Sequence, residues 1–479
     1  MFLKRFYDAK LAQASYMVGC NATGEALVVD PNRDCEQYVT AATAEGLRIT
    51  HVTETHIHAD FVSGSRELAR RTGATLLLSA EGGAGWQYRY ADEDRAVLLR
   101  EGSTFSVGRV RLDVMHTPGH TPEHLTFIVT DTAATERPMG AFTGDFIFVG
   151  DVGRPDLLER AAGVQGTMEE SARQLYASLQ RFKQLPAWLQ LWPGHGAGSA
   201  CGKALGAVPQ TTLGYESLVN WGLTAQSRDE FVQAVLEGQP APPRYFAEMK
   251  RINRDGPRVL GGLVPPPAMH ASELAEVLER RDVVVDTRAA EVFAAGHLPG
   301  TINIPLNRSF TNWAGWLLPY DTDFYIIVPH AGRMLDEVVR DLAMIGLDRI
   351  AGWFAADAVR EWGATHSLQT IRQVRPAELE ADWRSGAVTV LDVRARSEWE
   401  EGHLPGVTNI PLGELGDRIA EIPADRPLVL HCQGGGRSSI AASLLQSHGL
   451  PNPVNLAGGF TAWRAAGLPV EKEDAGVAS

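Results

Sequence analysis

Two groups of residues in this 479-residue chain are suited to chemistry. In the first half, Thr55-His56-Ile-His58-Ala-Asp60-Phe61, His116-Thr-Pro-Gly-His120, Thr143-Gly-Asp145 and Trp192-Pro-Gly-His195-Gly each place His or Asp just after an apolar run. One histidine so placed is usually a satisfied structural residue. Four such loops in series point to a metal site, since imidazole and carboxylate supply its nitrogen and oxygen ligands. Near the end, Leu430-His-Cys432-Gln433-Gly434-Gly435-Gly436-Arg437-Ser-Ser439 closes a strand pattern, turns through glycine and opens a helix. Backbone N–H groups at such a turn stabilise a thiolate or a bound anion, and Arg437 adds a fixed positive charge. Cys432 is the expected nucleophile, with Gln433, Gly434, Gly435 and Gly436 as its cradle.

The elements that hold these loops follow from periodicity. Strands are expected around Ala26–Asp30, Ile49–Thr55, Val110–His116, Leu125–Val129 and Ala141–Phe146, and helices over Ser63–Thr72 and Met168–Leu185, which suggests a layered α/β sandwich. The C-terminal half is an internal repeat. Asp286-Thr-Arg288, Gly296-His-Leu-Pro-Gly300 and Asn303-Ile-Pro-Leu306 recur as Asp392-Val-Arg394, Gly402-His-Leu-Pro-Gly406 and Asn409-Ile-Pro-Leu412, at a constant offset of 106. Each copy opens with a helical pattern (Ser272–Arg280, Pro376–Arg384) and continues with short apolar strands alternating with helices, the signature of a parallel sheet. Gly256–Pro267 reads as a linker, and a weaker boundary falls near Gly363–Pro376. The expected domains are 1–255, 268–365 and 372–472. Counting back from Arg333 as Cys432 lies before Arg437 lands on Val328, so the middle domain has no nucleophile.

Composition narrows the class. A net charge of −14 argues against capture of nucleic acid or an anionic membrane, leaving a small molecule as the expected partner. No apolar run is long enough to span a bilayer. Lys4, Arg5, Asp8 and Lys10 stand where a signal peptide needs an apolar stretch, so a cytoplasmic location is expected. The 4 cysteines, Cys20, Cys35, Cys201 and Cys432, show no disulfide spacing. Cys201, in a glycine-rich loop after His195, is placed to bind or accept sulfur; Cys35 reads as structural.

The N-terminal motifs resemble the metallo-β-lactamase fold, an αββα sandwich whose signature is His-x-His-x-Asp-His, a Pro-Gly-His, a Gly-Asp and a last His. Phe61 departs from it, standing where the family usually has a histidine of a second metal site, and phenyl has no lone pair for a metal. The remaining set, His56, His120 and Asp145, suits one non-haem Fe(II) per chain. The resemblance extends to the persulfide dioxygenases of this fold. It implies that His58, Asp60 and His195 orient ligands and bound water, and that Arg154, in Gly153-Arg154-Pro-Asp156, holds a substrate carboxylate unless Asp156 pairs with it. The C-terminal half resembles rhodanese sulfurtransferases, an inactive domain followed by an active one.

The whole order resembles persulfide dioxygenase/rhodanese fusions of sulfide detoxification. This implies oxidation of a low-molecular-weight persulfide such as glutathione persulfide by O₂ to sulfite and thiol. It also implies a Cys432 persulfide that makes or uses thiosulfate, and a homo-oligomer. The alternative is a zinc thioester hydrolase of the glyoxalase II kind fused to a rhodanese.

Overall fold

The computed structural model describes residues 1–157, 159, 166–203, 205–239, 242–423 and 425–472. The chain divides into two compact units, Met1–Leu263 with Arg340–Gly346, and Val264–Val339 with Leu347–Ser479. The change at Leu263/Val264 falls within the Gly/Pro-rich run read as a linker.

The first unit is built on two six-stranded sheets. One has the order β1 (Phe2–Asp8), β2 (Gln13–Cys20), β3 (Glu25–Val29), β4 (Arg48–Thr53), β5 (Thr75–Ser79), β6 (Val97–Leu99). The other runs β12 (Thr211–Thr212), β11 (Gln190–Pro193), β10 (Gly140–Gly144), β9 (Leu125–Asp131), β8 (Val110–His116), β7 (Thr104–Val107). Side chains alternate between faces along a strand, which assigns each to a layer. Leu27, Val29 and Leu77 meet Leu112, Phe127, Phe142 and Trp192 in the core between the sheets. Val28, Val52, Leu76 and Leu78 pack on the opposite face with Tyr38 and Leu68 from helices. Ala141 and Leu191 turn outward onto Leu175 and Leu179 of the helix Met168–Phe182. The layers are those of an αββα sandwich.

The expected strand over Ile49–Thr55 ends at Thr53, because Asp30 draws Thr55 off the ladder: the Thr55 N–H donates to Asp30 Oδ1 at 2.6 Å. The expected strand over Ala141–Phe146 ends at Gly144, whose φ of +47° turns the chain and delivers Asp145 into a loop.

The second unit holds both repeats. The first has the parallel order β14 (Ile302–Asn303), β13 (Val283–Asp286), β15 (Phe324–Val328), β16 (Ile350–Ala355). The second is also parallel, in the order β17 (Arg372–Val374), β21 (Val454–Leu456), β20 (Leu428–His431), β18 (Thr389–Asp392), β19 (Thr408–Asn409). Registers match between repeats. Asp286 lies opposite Ile327 as Asp392 lies opposite His431, so Val328 holds the place that Cys432 holds in the second copy. Among the described residues no helix is long and apolar enough to cross a membrane.

Candidate functional site

The four strand-end loops of the first unit bring their His and Asp side chains together. The donor atoms of His56, His120 and Asp145 lie within 4.8 Å of one another, and all three residues are buried. His120 Nε2 is 3.5 Å and His56 Nε2 3.8 Å from Asp145 Oδ2. His56 Nε2 and both Asp145 carboxylate oxygens have no hydrogen-bond partner. Burying such atoms unpaired costs roughly 1–3 kcal/mol each or more, and a cation among them removes the penalty.

The far ring nitrogens fix the tautomers. His120 Nδ1–H donates to the Arg154 carbonyl at 3.0 Å, which turns the Nε2 lone pair inward. The Thr55 hydroxyl donates to Asp30 Oδ2 at 2.9 Å and so accepts from His56 Nδ1–H, also at 2.9 Å. Burial, with the surrounding imidazoles, holds His56 well below its ordinary pKa, and burial lowers His120. Both rings are kept in the neutral form that ligates metal. Only glycine fits at 119: φ is +146°, and a Cβ would lie 2.4 Å from the Leu175 Cβ, so the loop carrying His120 rests directly on the helix Met168–Phe182.

A second triad adjoins the first. The donor atoms of Asp60, His195 and Cys201 also lie within 4.8 Å of one another. His195 Nε2 is 3.2 Å from Asp60 Oδ2 and 3.4 Å from Asp145 Oδ1, and its Nδ1–H donates to the Ala12 carbonyl at 3.1 Å. Burial, with the Asp60 and Asp145 carboxylates, pushes the Cys201 thiol well above its ordinary pKa. His58 is engaged elsewhere, its Nε2 lying 3.1 Å from Asp30 Oδ1. Burial opposes its charge, but Asp30, with Glu54 and Asp60, outweighs this and pushes its pKa up to about 9. Phe61 is fully buried with its ring 4.4 Å from that of His58. Arg154 is buried in a bidentate pair with Asp156 at 2.8 and 2.7 Å, and its third nitrogen donates to the Ala200 carbonyl. The fork expected for a substrate carboxylate thus grips Asp156.

Two residues of the centre escaped the sequence reading. Asp30, which braces Thr55 and His58 from the end of β3, was legible only as an acid closing a strand. His124 Nε2 accepts the Asp145 backbone N–H at 3.2 Å, and the Thr117 hydroxyl lies 2.8 Å from its Nδ1. Its only signal was its place just before β9.

In the second unit, Cys432 follows β20 and is buried. Its Sγ accepts the Gly435 N–H at 3.1 Å and the Ser438 hydroxyl at 3.5 Å. Gly435, at φ +96°, caps the helix Gly436–Ser447 in a left-handed conformation that aims its N–H at the sulfur. Arg394 chelates Asp392 and donates to Gln433 Oε1 at 3.3 Å, and Gln433 Nε2 donates to Thr461 at 3.0 Å. Arg437 is held at 2.5 and 2.7 Å by Glu398, a partner the sequence reading missed. The loop thus presets two donors on the Cys432 sulfur.

Comparison with known proteins agrees. The metallo-beta-lactamase superfamily model matches residues 9–195, and the rhodanese-like domain model matches 270–348 and 375–466. A metallo-beta-lactamase structure from Staphylococcus aureus subsp. aureus COL aligns with a TM-score of 0.66 at 42% identity, covering 74% of this chain and 99% of that one. The hydroxyacylglutathione hydrolase of Rhodospirillum rubrum is 33% identical over 246 residues, 50% of this chain and 80% of its own. That of Methylococcus capsulatus is 28% identical over 274 residues, 56% of this chain and 93% of its own. Fold and site define a metallo-β-lactamase-type domain with a His/Asp metal cluster, followed by rhodanese-like domains. The chain belongs to the metallo-beta-lactamase superfamily.

Proposed function

We propose that the chain couples a mononuclear iron persulfide dioxygenase to a rhodanese sulfurtransferase. The observation that carries this reading is the pairing of a complete first donor set with Phe61, buried where a second-site histidine would stand. His56, His120 and Asp145 would hold one Fe(II), a two-imidazole, one-carboxylate set suited to that ion. Ferrous iron there would supply O₂ activation beside the persulfide sulfur, for the net reaction RSSH + O₂ + H₂O → RSH + SO₃²⁻ + 2H⁺. The chain's own residues prepare that step. Thr55 and the Arg154 carbonyl fix the two rings, His124 pins the Asp145 backbone, and Asp60 and His195 stand beside Asp145 to orient water or take up protons. At Cys432 the Gly435 N–H and Ser438 hydroxyl stabilise the thiolate that carries sulfane sulfur to or from thiosulfate.

Similarity to hydroxyacylglutathione hydrolases favours a second reading, thioester hydrolysis at zinc. Metal analysis and turnover separate the two. One iron per chain with sulfite formed from glutathione persulfide supports the dioxygenase; about two zinc per chain with hydrolysis of S-lactoylglutathione supports the hydrolase.

A further inference from the structure

In the helix that opens behind Cys432, every residue from Ser438 to Gln446 is buried. A helix buried on all sides needs neighbours on both flanks, and this one lies on β20 and β21 of its own sheet and on β14 of the first repeat. β14 is an edge strand, whose outward N–H groups need a partner once they are covered. The Asn303 N–H donates to Ser443 Oγ at 2.9 Å, and the Ser443 hydroxyl donates in turn to the Ile440 carbonyl at 2.7 Å. Further along the helix, Gln446 Nε2 donates to the Thr370 carbonyl at 3.1 Å, in the segment joining the repeats, while Gln446 Oε1 stands 3.1 Å from His297 Nε2. Gly413, after the last motif of the second repeat, is seated so closely on Trp316 of the first that a Cβ there would lie 2.4 Å from the indole ring.

The first repeat thus ties the helix at Ser443 and Gln446, and the opposite end of the same helix, with its cap, sets Gly435 and Ser438 on the Cys432 sulfur. Ser438 and Ser443 are about 7.5 Å apart along a helix axis, at 1.5 Å per residue. We propose that the first repeat, which has no nucleophile of its own, positions the sulfur-transfer loop of the second, with Asn303, Ser443 and Gln446 as positioning residues. The proposal rests on the sulfurtransferase reading. When cyanide takes the outer sulfur of a Cys432 persulfide, a C–S bond forms, the bond to Cys432 Sγ breaks and the electron pair stays on Sγ: Cys432–S–SH + CN⁻ → Cys432–S⁻ + SCN⁻ + H⁺. The Gly435 N–H and the Ser438 hydroxyl receive that charge, so a displaced helix slows the step and leaves substrate binding as it was.

The test measures thiocyanate formation from thiosulfate and cyanide by the full chain. Ser443→Ala removes the acceptor of the Asn303 N–H, and Gln446→Ala removes the tie to Thr370. The two together are expected to lower kcat about tenfold with both KM values held within about twofold, the pattern of an interaction made only in the transition state. Gln446→Ala alone should lower kcat about threefold, and it decides the question should the double variant fail to fold. Val277→Ala, in the core of the first repeat and away from both ties, should lower the melting temperature and leave kcat unchanged below it. If the unaltered chain forms no thiocyanate, the sulfurtransferase reading fails. If it does, and kcat holds in the folded variants whatever KM does, or Val277→Ala lowers kcat as far, the positioning role is refuted.

Discussion

The two rhodanese-like repeats differ in the loops that follow β15 and β20 and agree in the motifs that frame them. In each, the arginine of Asp-x-Arg folds back on its own aspartate and donates to a glycine carbonyl: Arg288 on Asp286 and Gly296, Arg394 on Asp392 and Gly402. In each, the histidine of Gly-His-Leu-Pro-Gly stacks on an aromatic ring four residues back and donates Nδ1–H to that residue's carbonyl, His297 with Phe293 and His403 with Trp399. Asn303 and Asn409 tie the same pairs of carbonyls. The shared motifs are therefore framework. The repeats part in a short loop, where Cys432 precedes its left-handed glycine, Gly435, by three residues, while Val328 precedes Gly332 by four.

The largest test of that division is Cys432→Ser, which should drop thiosulfate-dependent sulfur transfer to background and leave persulfide-dependent O₂ uptake in place. Adding Val328→Cys to that variant should restore no transfer, since the longer loop does not place a glycine N–H three residues on. Recovered thiocyanate formation would show that the cysteine alone separates the repeats. Next, Arg288→Ala and Arg394→Ala each strand a buried aspartate and should cost about 3–5 kcal/mol in denaturant unfolding. Only Arg394→Ala should also slow sulfur transfer, because Arg394 positions Gln433. Equal kinetic losses would contradict the separation of framework from loop.

The smallest effect is acid stability. Burial raises the Glu398 pKa, but hydrogen bonds and charge from Arg437 outweigh it and hold the group below its ordinary 4.5. A depressed carboxylate contributes stability that is fully present above its unfolded value and lost as pH falls through the folded one. Stability should therefore decline below about pH 4.5, and Arg437→Gln should flatten that limb of the curve. In the first repeat the matching position is Val292, so Val292→Ala should leave the limb unchanged.

Much of this organisation was legible in the sequence. The constant offset between the repeats located both frames, strand-end spacing pointed to one metal site built from four loops, and the family resemblance picked out His56, His120 and Asp145 within it. What stayed hidden depends on tertiary contact. β2 is buried along its whole length, so it lacks the alternation that marks a half-exposed strand. Asp30 braces Thr55 from 25 residues away, and Glu398 reaches Arg437 across 39. Neither pairing leaves a local pattern. The grip of Asp156 on Arg154 was open from spacing, and side-chain geometry alone resolved it.

The central claim is that His56, His120 and Asp145 serve oxygen chemistry on sulfur. The most direct measurement is dissolved O₂ in a sealed cell after anaerobic iron loading of the full chain. On adding glutathione persulfide, O₂ should fall in step with sulfite formation, one for one, with one iron per chain, and His120→Ala should abolish both uptake and bound iron. An iron-loaded chain that consumes no O₂ with persulfide, while a zinc-loaded one hydrolyses S-lactoylglutathione, would contradict the account.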